Sequence, residues 1–260
     1  MSWFEAIVLG LVQGLTEFLP VSSSGHLVIA KELFGIETAD ISFEIAVHAA
    51  TVLSVIIVFW KQIINLLAGL FKFKYNEQTK YILMICVSMI PVFVVGMFFK
   101  DSVESLFGSG LFTVGLALLV TAMLLTFSET IKTTEKPLTY GRAFVVGLAQ
   151  AVAVIPGLSR SGSTIATGLL CGMKKSEVTQ FSFLMVLVPI LGEAFLELLG
   201  GGFSASSVGS LPLALGFVAA FISGLFACKF MISIVKRAKL RWFAIYCAIV
   251  GITCLIFNVL

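Results

Sequence analysis

The chain has 260 residues, of which 59% are hydrophobic and only 12% charged, and its mean hydropathy is +1.09. Soluble domains carry about 45–50% apolar residues, so this composition indicates a protein that crosses a membrane several times. The formal net charge of +3, from 17 basic and 14 acidic residues, argues against nucleic acid as a partner. The length suffices for about six spans of roughly 20 residues in one domain covering residues 1–260.

The first element in chain order is predicted to be a helical hairpin. A mostly apolar run from Ala6 to Leu19 would rise about 21 Å as a helix, too little for a hydrocarbon core of about 30 Å. Pro20 interrupts this run, and a second short arm extends from Leu27 to Ala30. We expect a re-entrant hairpin whose polar tip is buried in protein or faces a wet cavity.

Six longer apolar runs predict transmembrane helices. They cover residues 41–60, 79–99, 111–128, 178–199, 211–232 and 240–258. Three of them precede a second copy of the opening motif and three follow it.

The second copy of the motif indicates an internal repeat. At an offset of 137 positions Gly10, Gln13, Ser22, Ser24 and Gly25 match Gly147, Gln150, Ser159, Ser161 and Gly162, with Pro20 and Pro156 one residue out of register. The halves would be about residues 1–136 and 137–260, each with one hairpin and three spans. Three crossings per half place the second half upside down, so the predicted fold is an all-α membrane protein with an inverted repeat.

The basic residues predict the orientation of this repeat. They cluster in the segments 61–80, 132–142, 174–175 and 236–241, whereas residues 200–210 hold none and residues 99–110 only Lys100. The positive-inside rule then places these basic segments in the cytoplasm and both termini outside. The first hairpin would enter from the outer face and the second from the inner face, so that their tips can meet near the midplane.

The two tips carry groups that suit a polyanion. Arg160 at membrane depth is costly, and its planar guanidinium suits phosphate oxygens. The alternative is an ion pair with Glu17 that only locks the halves together. Hydroxyl groups and helix N-termini are expected to bind the anion, which we interpret as a diphosphate. The residues expected to do so are Ser22, Ser24, Gly25, Ser159, Ser161, Gly162, Ser163 and Thr164.

The first tip also carries groups for catalysis. Ser22, Ser23 and Ser24 are candidate nucleophiles, with His26 as a candidate base or acid. The alternative is that the serines only cap a helix and His26 bonds a carbonyl. Gln13 and Glu17 lie one helical turn apart, and their oxygens suit a hard divalent cation, Mg²⁺ or Ca²⁺. Another such pair, Glu44 and His48, is expected to be structural or to support the site without contacting the substrate.

These motifs resemble those of the undecaprenyl-diphosphate phosphatases of the bacitracin-resistance type. The resemblance rests on Gln13-x-x-x-Glu17, on Pro20-Val21-Ser22-Ser23-Ser24-Gly25-His26 and on Pro156-Gly157-Leu158-Ser159-Arg160-Ser161-Gly162-Ser163-Thr164, and it covers essentially the whole chain. It implies hydrolysis of a polyprenyl diphosphate to the monophosphate lipid carrier of cell-wall synthesis, in the bacterial inner membrane, and with it bacitracin resistance.

The resemblance also implies a role for each motif residue. Ser23 would be the nucleophile, His26 the general acid or base, and Arg160 the phosphate clamp. The motif leaves open whether Ser23 forms a phospho-enzyme or only positions a water. Glu17 and Gln13 would form the acidic motif. The family accepts Glu or Gln at the position of Gln13, but an amide there weakens any mechanism that needs two carboxylates. The expected partners are the lipid substrate and the bilayer, with a homodimer left open.

Three other classes of protein are alternatives to this phosphatase family. The membrane acid-phosphatase superfamily also uses SGH and SR motifs, but it needs a later histidine, and none follows His48. An anion or lipid-phosphate transporter would share the inverted repeat and the midplane arginine, but it would not need the cluster of Ser23, His26 and Glu17. A structural scaffold would tolerate replacement of Arg160 and Ser23.

Overall fold

The computed structural model describes residues 1–36, 41–99, 110–131, 134–200, 208–237 and 240–258, and these are almost entirely helical. The described helices are α1 (Trp3–Phe18), α2 (Ser23–Phe34), α3 (Ile41–Val58), α4 (Trp60–Leu70), α5 (Glu77–Phe98), α6 (Gly110–Thr130), α7 (Tyr140–Val152), α8 (Arg160–Leu170), α9 (Lys175–Met185), α10 (Leu187–Gly200), α11 (Ser210–Arg237) and α12 (Arg241–Phe257).

The predicted first hairpin is present, with longer arms than expected. A capping box begins α1, because the Glu5 amide donates to Ser2 Oγ and the Ser2 amide donates to the Glu5 carboxylate. The chain turns after Phe18, and Ser22 caps α2 by accepting a hydrogen bond from the Gly25 amide at 3.2 Å. Gly35, with φ of +62°, ends α2 in the left-handed conformation that favours glycine. The second hairpin is formed by α7 and α8, and its second arm also begins with a serine cap, at Ser159.

Two predicted continuous helices are interrupted. The run 41–60 ends as α3 at Val58, and α4 leaves it at an angle of 77°. The run 178–199 is divided into α9 and α10 at Val186. Pro189 explains this second break, because its ring would clash with the carbonyl of Met185, four residues earlier, if the helix continued. Much of α9 is buried, and Phe181, Phe183 and Met185 are among the largest fully buried side chains.

Three helices are long and apolar enough to cross a membrane. They are α5, α6 and residues 210–234 of α11, and the bent pair α3–α4 brings the number to four among the described residues. The seventeen-residue α12 is also apolar but shorter. The chain is therefore an all-helical, multi-pass membrane protein. The number of six spans stays a prediction.

The most extensive helix contacts are made by α1 with α11, α6 with α12, α3 with α11, and α5 with α7. Small residues allow these close approaches, as is usual between membrane helices. A β-carbon at Gly14 would collide with Ser223 and with the Ala220 carbonyl of α11, and one at Gly147 would collide with the Ser88 backbone of α5. Gly115 and Gly251 face each other between α6 and α12. These contacts bring the first hairpin against the second half of the chain.

Replacing Gly14 by alanine is expected to lower the free energy of unfolding by about 1–3 kcal/mol, because α1 must move away from α11. Thermal unfolding of the purified protein in detergent measures the change. Gly96→Ala is the matched control, since a β-carbon at this exposed α5 position meets nothing within 4 Å. It should leave the stability unchanged or raise it by about 0.5–1 kcal/mol. Equal melting temperatures for both variants would contradict the packing described for α1.

Several loops gather at one end of the bundle. The hydroxyls of Tyr75, before α5, and Tyr140, at the start of α7, lie 3.0 Å apart. The Lys136 amide donates to the Gly172 carbonyl at 2.9 Å, which joins the segment after α6 to the turn after α8. These segments belong to the basic stretches of the chain, so the basic loops after α4, α6 and α8 share one end.

Candidate active site

The tips of the two hairpins touch through reciprocal hydrogen bonds. The Gly157 amide of the second tip donates to Ser24 Oγ of the first at 3.3 Å. In return, the Ser161 hydroxyl of the second tip donates to the Leu19 carbonyl of the first at 3.0 Å. Gly157 has a φ of +87°, and a β-carbon there would press on Val114 of α6. The predicted meeting of the tips is therefore present.

A small cavity of about 30 Å³ lies between the tips. Its lining consists of Glu17, Ser22, Ser23, Ser24, Ala153, Leu158, Ser159, Arg160 and Ser161. Helices α2 and α8 both begin at this cavity, and each begins with a serine cap. Ser22 Oγ accepts from the Gly25 amide at 3.2 Å, and Ser159 Oγ accepts from the Gly162 amide at 3.0 Å. Two positive helix ends facing one space favour an anion there.

Ser22 has a strained backbone at the tip of the first hairpin. Its φ of +71° and ψ of 100° lie in a region that residues with a side chain rarely adopt. Its neighbours hold this conformation, because the Ser22 carbonyl accepts from His26 and its hydroxyl caps α2. Strain of this kind is maintained mostly at functional sites, and here it directs the start of α2 toward the cavity.

Glu17 lies at the centre of the polar contacts. Its Oε2 accepts hydrogen bonds from Ser23 Oγ at 2.5 Å and from Gln13 Nε2 at 2.9 Å. His48 Nε2 lies 3.8 Å from the same oxygen. The Glu17 side chain is only 6% exposed, so these neighbours replace the water that a buried carboxylate loses. Ser23 therefore has a carboxylate, and not an imidazole, within hydrogen-bond distance.

Arg160 extends from the start of α8 toward the same carboxylate. Its nearest nitrogen lies 3.9 Å from Glu17 Oε1, which is an electrostatic contact but longer than a hydrogen bond. The guanidinium also lines the cavity, and 31% of the side chain is exposed. The ion pair considered from the sequence is thus present, and it leaves the arginine free to donate to an anion in the cavity.

Gln13 supplies the second oxygen predicted for a cation. The side chain is completely buried, and its Oε1 has no hydrogen-bond partner within the described part of the chain. An unpartnered buried amide oxygen next to a carboxylate fits a hard divalent cation. The donor set therefore agrees with the predicted site at Gln13 and Glu17.

His26 makes the carbonyl contact of the alternative interpretation and a second contact that the sequence did not indicate. Its Nδ1 lies 2.8 Å from the Ser22 carbonyl oxygen, and its Nε2 lies 2.8 Å from the Tyr246 hydroxyl. The structure thus brings His26 to the edge of the first tip but pairs it with Tyr246 of α12. In this arrangement the Ser23 hydroxyl is bonded to Glu17 and not to His26. The catalytic role of His26 stays a prediction.

The predicted substrate-binding residues occupy three different places. Four of them line the cavity: Ser22, Ser24, Ser159 and Ser161. Gly25 and Gly162 donate their amides to the serine caps. Thr164 lies deeper in α8 and shares a hydrogen bond of 2.6 Å with Ser182 Oγ of α9. Ser163 Oγ is buried, and no partner is found for it in the described ranges. Substrate contact by any of these eight residues stays a prediction.

His48 was expected to be structural or to support the site, and its Nε2 lies 3.8 Å from Glu17 Oε2. One residue near the site was not predicted from the sequence. Tyr246 lies in an apolar run 220 residues after His26. The only signal for Tyr246 was its hydroxyl group, a polar atom within the last predicted span.

The fold and the cavity together define an integral membrane protein with a polar cavity between two helical hairpins. The chain belongs to the family described as bacitracin resistance protein BacA, which matches residues 6–253. It is 58% identical to an undecaprenyl-diphosphatase of Parabacteroides distasonis over 257 residues, which cover 97% of each chain. It is 56% identical to an undecaprenyl-diphosphatase of Bacteroides fragilis over 261 residues, or 98% of each chain. The enzyme of Halothermothrix orenii with the same description shares 41% identity over 264 residues, again 98% of each chain.

Proposed function

We propose that this protein hydrolyses undecaprenyl diphosphate to undecaprenyl phosphate and inorganic phosphate, which returns the lipid carrier to cell-wall synthesis. The main support is the hydrogen bond of 2.5 Å between the Ser23 hydroxyl and the Glu17 carboxylate, in the cavity that Arg160 also lines. Relatives described as undecaprenyl-diphosphatases match over nearly the full length of the chain. The same relatives give no support to the transporter considered from the sequence.

Each of the site residues has its own role in phosphoryl transfer. Ser23 Oγ attacks the terminal phosphorus while Glu17 accepts its proton, and the bond from phosphorus to the bridging oxygen breaks. Undecaprenyl phosphate leaves with the electron pair, and water then releases phosphate from the serine. Arg160 and the N-termini of α2 and α8 stabilise the negative charge that develops on the phosphoryl oxygens.

Gln13 and Glu17 are proposed to hold the divalent cation, Mg²⁺ or Ca²⁺. When bound, such a cation would neutralise charge on the diphosphate. The support is the unpartnered Gln13 Oε1 beside the buried Glu17 carboxylate. In this arrangement the Gln13 amide also orients Glu17 for its hydrogen bond with Ser23.

Glu17→Gln is expected to weaken binding of Mn²⁺, a spectroscopic substitute for the natural cation, by at least about tenfold, because the variant lacks the anionic ligand. Electron paramagnetic resonance of free Mn²⁺ in a titration of the purified protein measures this. Glu5→Gln is the control, since Glu5 lies in the same helix but in the capping box with Ser2. Equal Mn²⁺ affinities for Glu17→Gln and the wild type would contradict a cation site at Glu17.

The inverted repeat is the proposed architecture, with halves of about residues 1–136 and 137–260 and six spans. Its support is the similarity of the two tips. Ser22 Oγ and Ser24 Oγ lie 3.3 Å apart, and Ser159 Oγ and Ser161 Oγ lie 3.4 Å apart. Contacts between elements repeat as well, because α1 packs on α11 as α7 packs on α5. These are the pairs that a two-fold exchange of the halves would produce.

The proposed location is the bacterial plasma membrane, with both termini and the entrance to the active site toward the outer face. The gathering of basic loops at one end of the bundle supports this orientation, since that end would be cytoplasmic. A substrate with an isoprenoid tail must present its diphosphate from the lipid, and a cavity between re-entrant tips suits that approach. The homodimer stays a prediction.

Vesicles containing the purified protein and undecaprenyl diphosphate labelled in its terminal phosphate distinguish a phosphatase from a transporter. We expect labelled inorganic phosphate in the water and unlabelled monophosphate in the lipid. Transfer of intact labelled lipid between the leaflets without phosphate release would contradict the proposed function and favour the transporter.

A further inference from the structure

The last helix contributes a side chain to the candidate active site. Tyr246 lies in α12, and its hydroxyl contacts His26 Nε2 at 2.8 Å. The two rings are also stacked, with centroids 5.6 Å apart and planes within 9° of parallel. His26 is thus held by a residue 220 positions away in the sequence.

The hydrogen bonds define the tautomer of His26. The Ser22 carbonyl oxygen can only accept, so the hydrogen on Nδ1 must come from the histidine. A neutral ring then has its lone pair on Nε2, and the Tyr246 hydroxyl donates to it. Nδ1 is held by its hydrogen bond to the Ser22 carbonyl. Nε2 is therefore the ring nitrogen that can take up or release a proton without loss of that bond.

The surroundings of Tyr246 fix it against the hairpin. The next residue, Cys247, is completely buried, and its Sγ lies 3.5 Å from the Pro20 carbonyl of the first tip. Tyr246 itself is 44% exposed, so its ring lies between the tip and the outer surface of the bundle. A tyrosine hydroxyl can both donate and accept, so Tyr246 can keep its contact with Nε2 when that nitrogen carries a proton.

We propose that Tyr246 is a positioning residue for phosphate release: its hydroxyl holds the His26 ring with Nε2 at a fixed place beside the two hairpin tips. This inference rests on the proposed function and on the role of general acid or base that the resemblance implies for His26. Tyr246 acts through His26 and makes no bond to the reacting atoms.

Tyr246→Phe tests the proposal, because it removes the hydroxyl and keeps the stacked ring. We expect kcat for phosphate release to fall about tenfold, the effect of one lost hydrogen bond, with KM changed by less than about twofold. In a His26→Gln background the same replacement should change kcat by less than about twofold, since its effect passes through His26. Trp242→Phe, one turn earlier on the same exposed face of α12, is the control and should keep wild-type rates.

Nitrogen-15 NMR gives a readout that does not depend on activity. The chain contains only two histidines, and a His48→Gln sample assigns them. In the wild type the His26 spectrum should show the Nδ1–H tautomer, and in Tyr246→Phe the Nε2 resonance should move toward that of a ring nitrogen without a hydrogen bond.

Three results would overturn the proposal. They are an unchanged Nε2 resonance in Tyr246→Phe, an unchanged kcat, and an equal loss of kcat with and without His26. A wild type that releases no phosphate would instead remove the proposed function. The NMR comparison would then still decide whether Tyr246 holds His26.

Discussion

Replacing Ser23 by alanine is expected to lower kcat for phosphate release on the order of a thousandfold, because the attacking oxygen is lost. Ser23 is the cavity serine whose hydroxyl bonds the Glu17 carboxylate, the arrangement needed to remove its proton during attack. The measurement is inorganic phosphate release by the purified variant in detergent, with thermal unfolding to show that the variant is folded.

Ser24→Ala is the matched control for Ser23. Ser24 lines the same cavity, but its hydroxyl accepts from the Gly157 amide and contacts Ser22 Oγ instead of Glu17. Loss of these bonds should lower kcat by no more than about tenfold. If Ser24→Ala were inactive while Ser23→Ala kept most of its activity, the nucleophile would have been assigned to the wrong serine.

Replacing Arg160 by alanine should lower kcat/KM by about a hundred- to a thousandfold, the usual cost of losing one donor to the transition state. Arg160→Lys should recover only part of this, because an ammonium group lacks the planar fork that binds two phosphate oxygens. The same phosphate assay at several substrate concentrations measures both variants.

Arg142→Ala is the control for loss of an arginine. Arg142 is partly exposed at the start of α7 and donates to the Pro137 carbonyl, away from the cavity lining. Its replacement should leave kcat/KM unchanged. If Arg160→Ala lowered the melting temperature and kept wild-type kinetics, the arginine would only lock the two halves together, as the alternative interpretation holds.

The two hairpins could be predicted from the sequence because their signals are local. Pro20 and Pro156 interrupt apolar runs too short to cross a bilayer, and serines two and three residues afterwards cap α2 and α8. The repeat predicted that the tips could meet, and the bonds between Ser24 and Gly157 show that they do. Charge patterns, turn residues and helix caps act over a few residues and can therefore be recognised without coordinates.

The partners of the site residues could not be predicted, because they depend on how distant helices pack. Tyr246 reaches His26 only because α12 lies against the first tip, and His48 reaches Glu17 only because α3 packs beside α1. The division of α9 and α10 was also missed, since an apolar run conceals a break that Pro189 imposes. The bend between α3 and α4 has no comparable cause in the local sequence.

The most direct measurement is inorganic phosphate release from undecaprenyl diphosphate by the purified wild type and Ser23→Ala, side by side in detergent with Mg²⁺ or Ca²⁺. We expect the wild type to release one phosphate and one undecaprenyl phosphate for each substrate consumed. The folded variant should release almost no phosphate. A wild type that releases no phosphate with either cation, or a variant as fast as the wild type, would contradict an active site formed between the two hairpin tips.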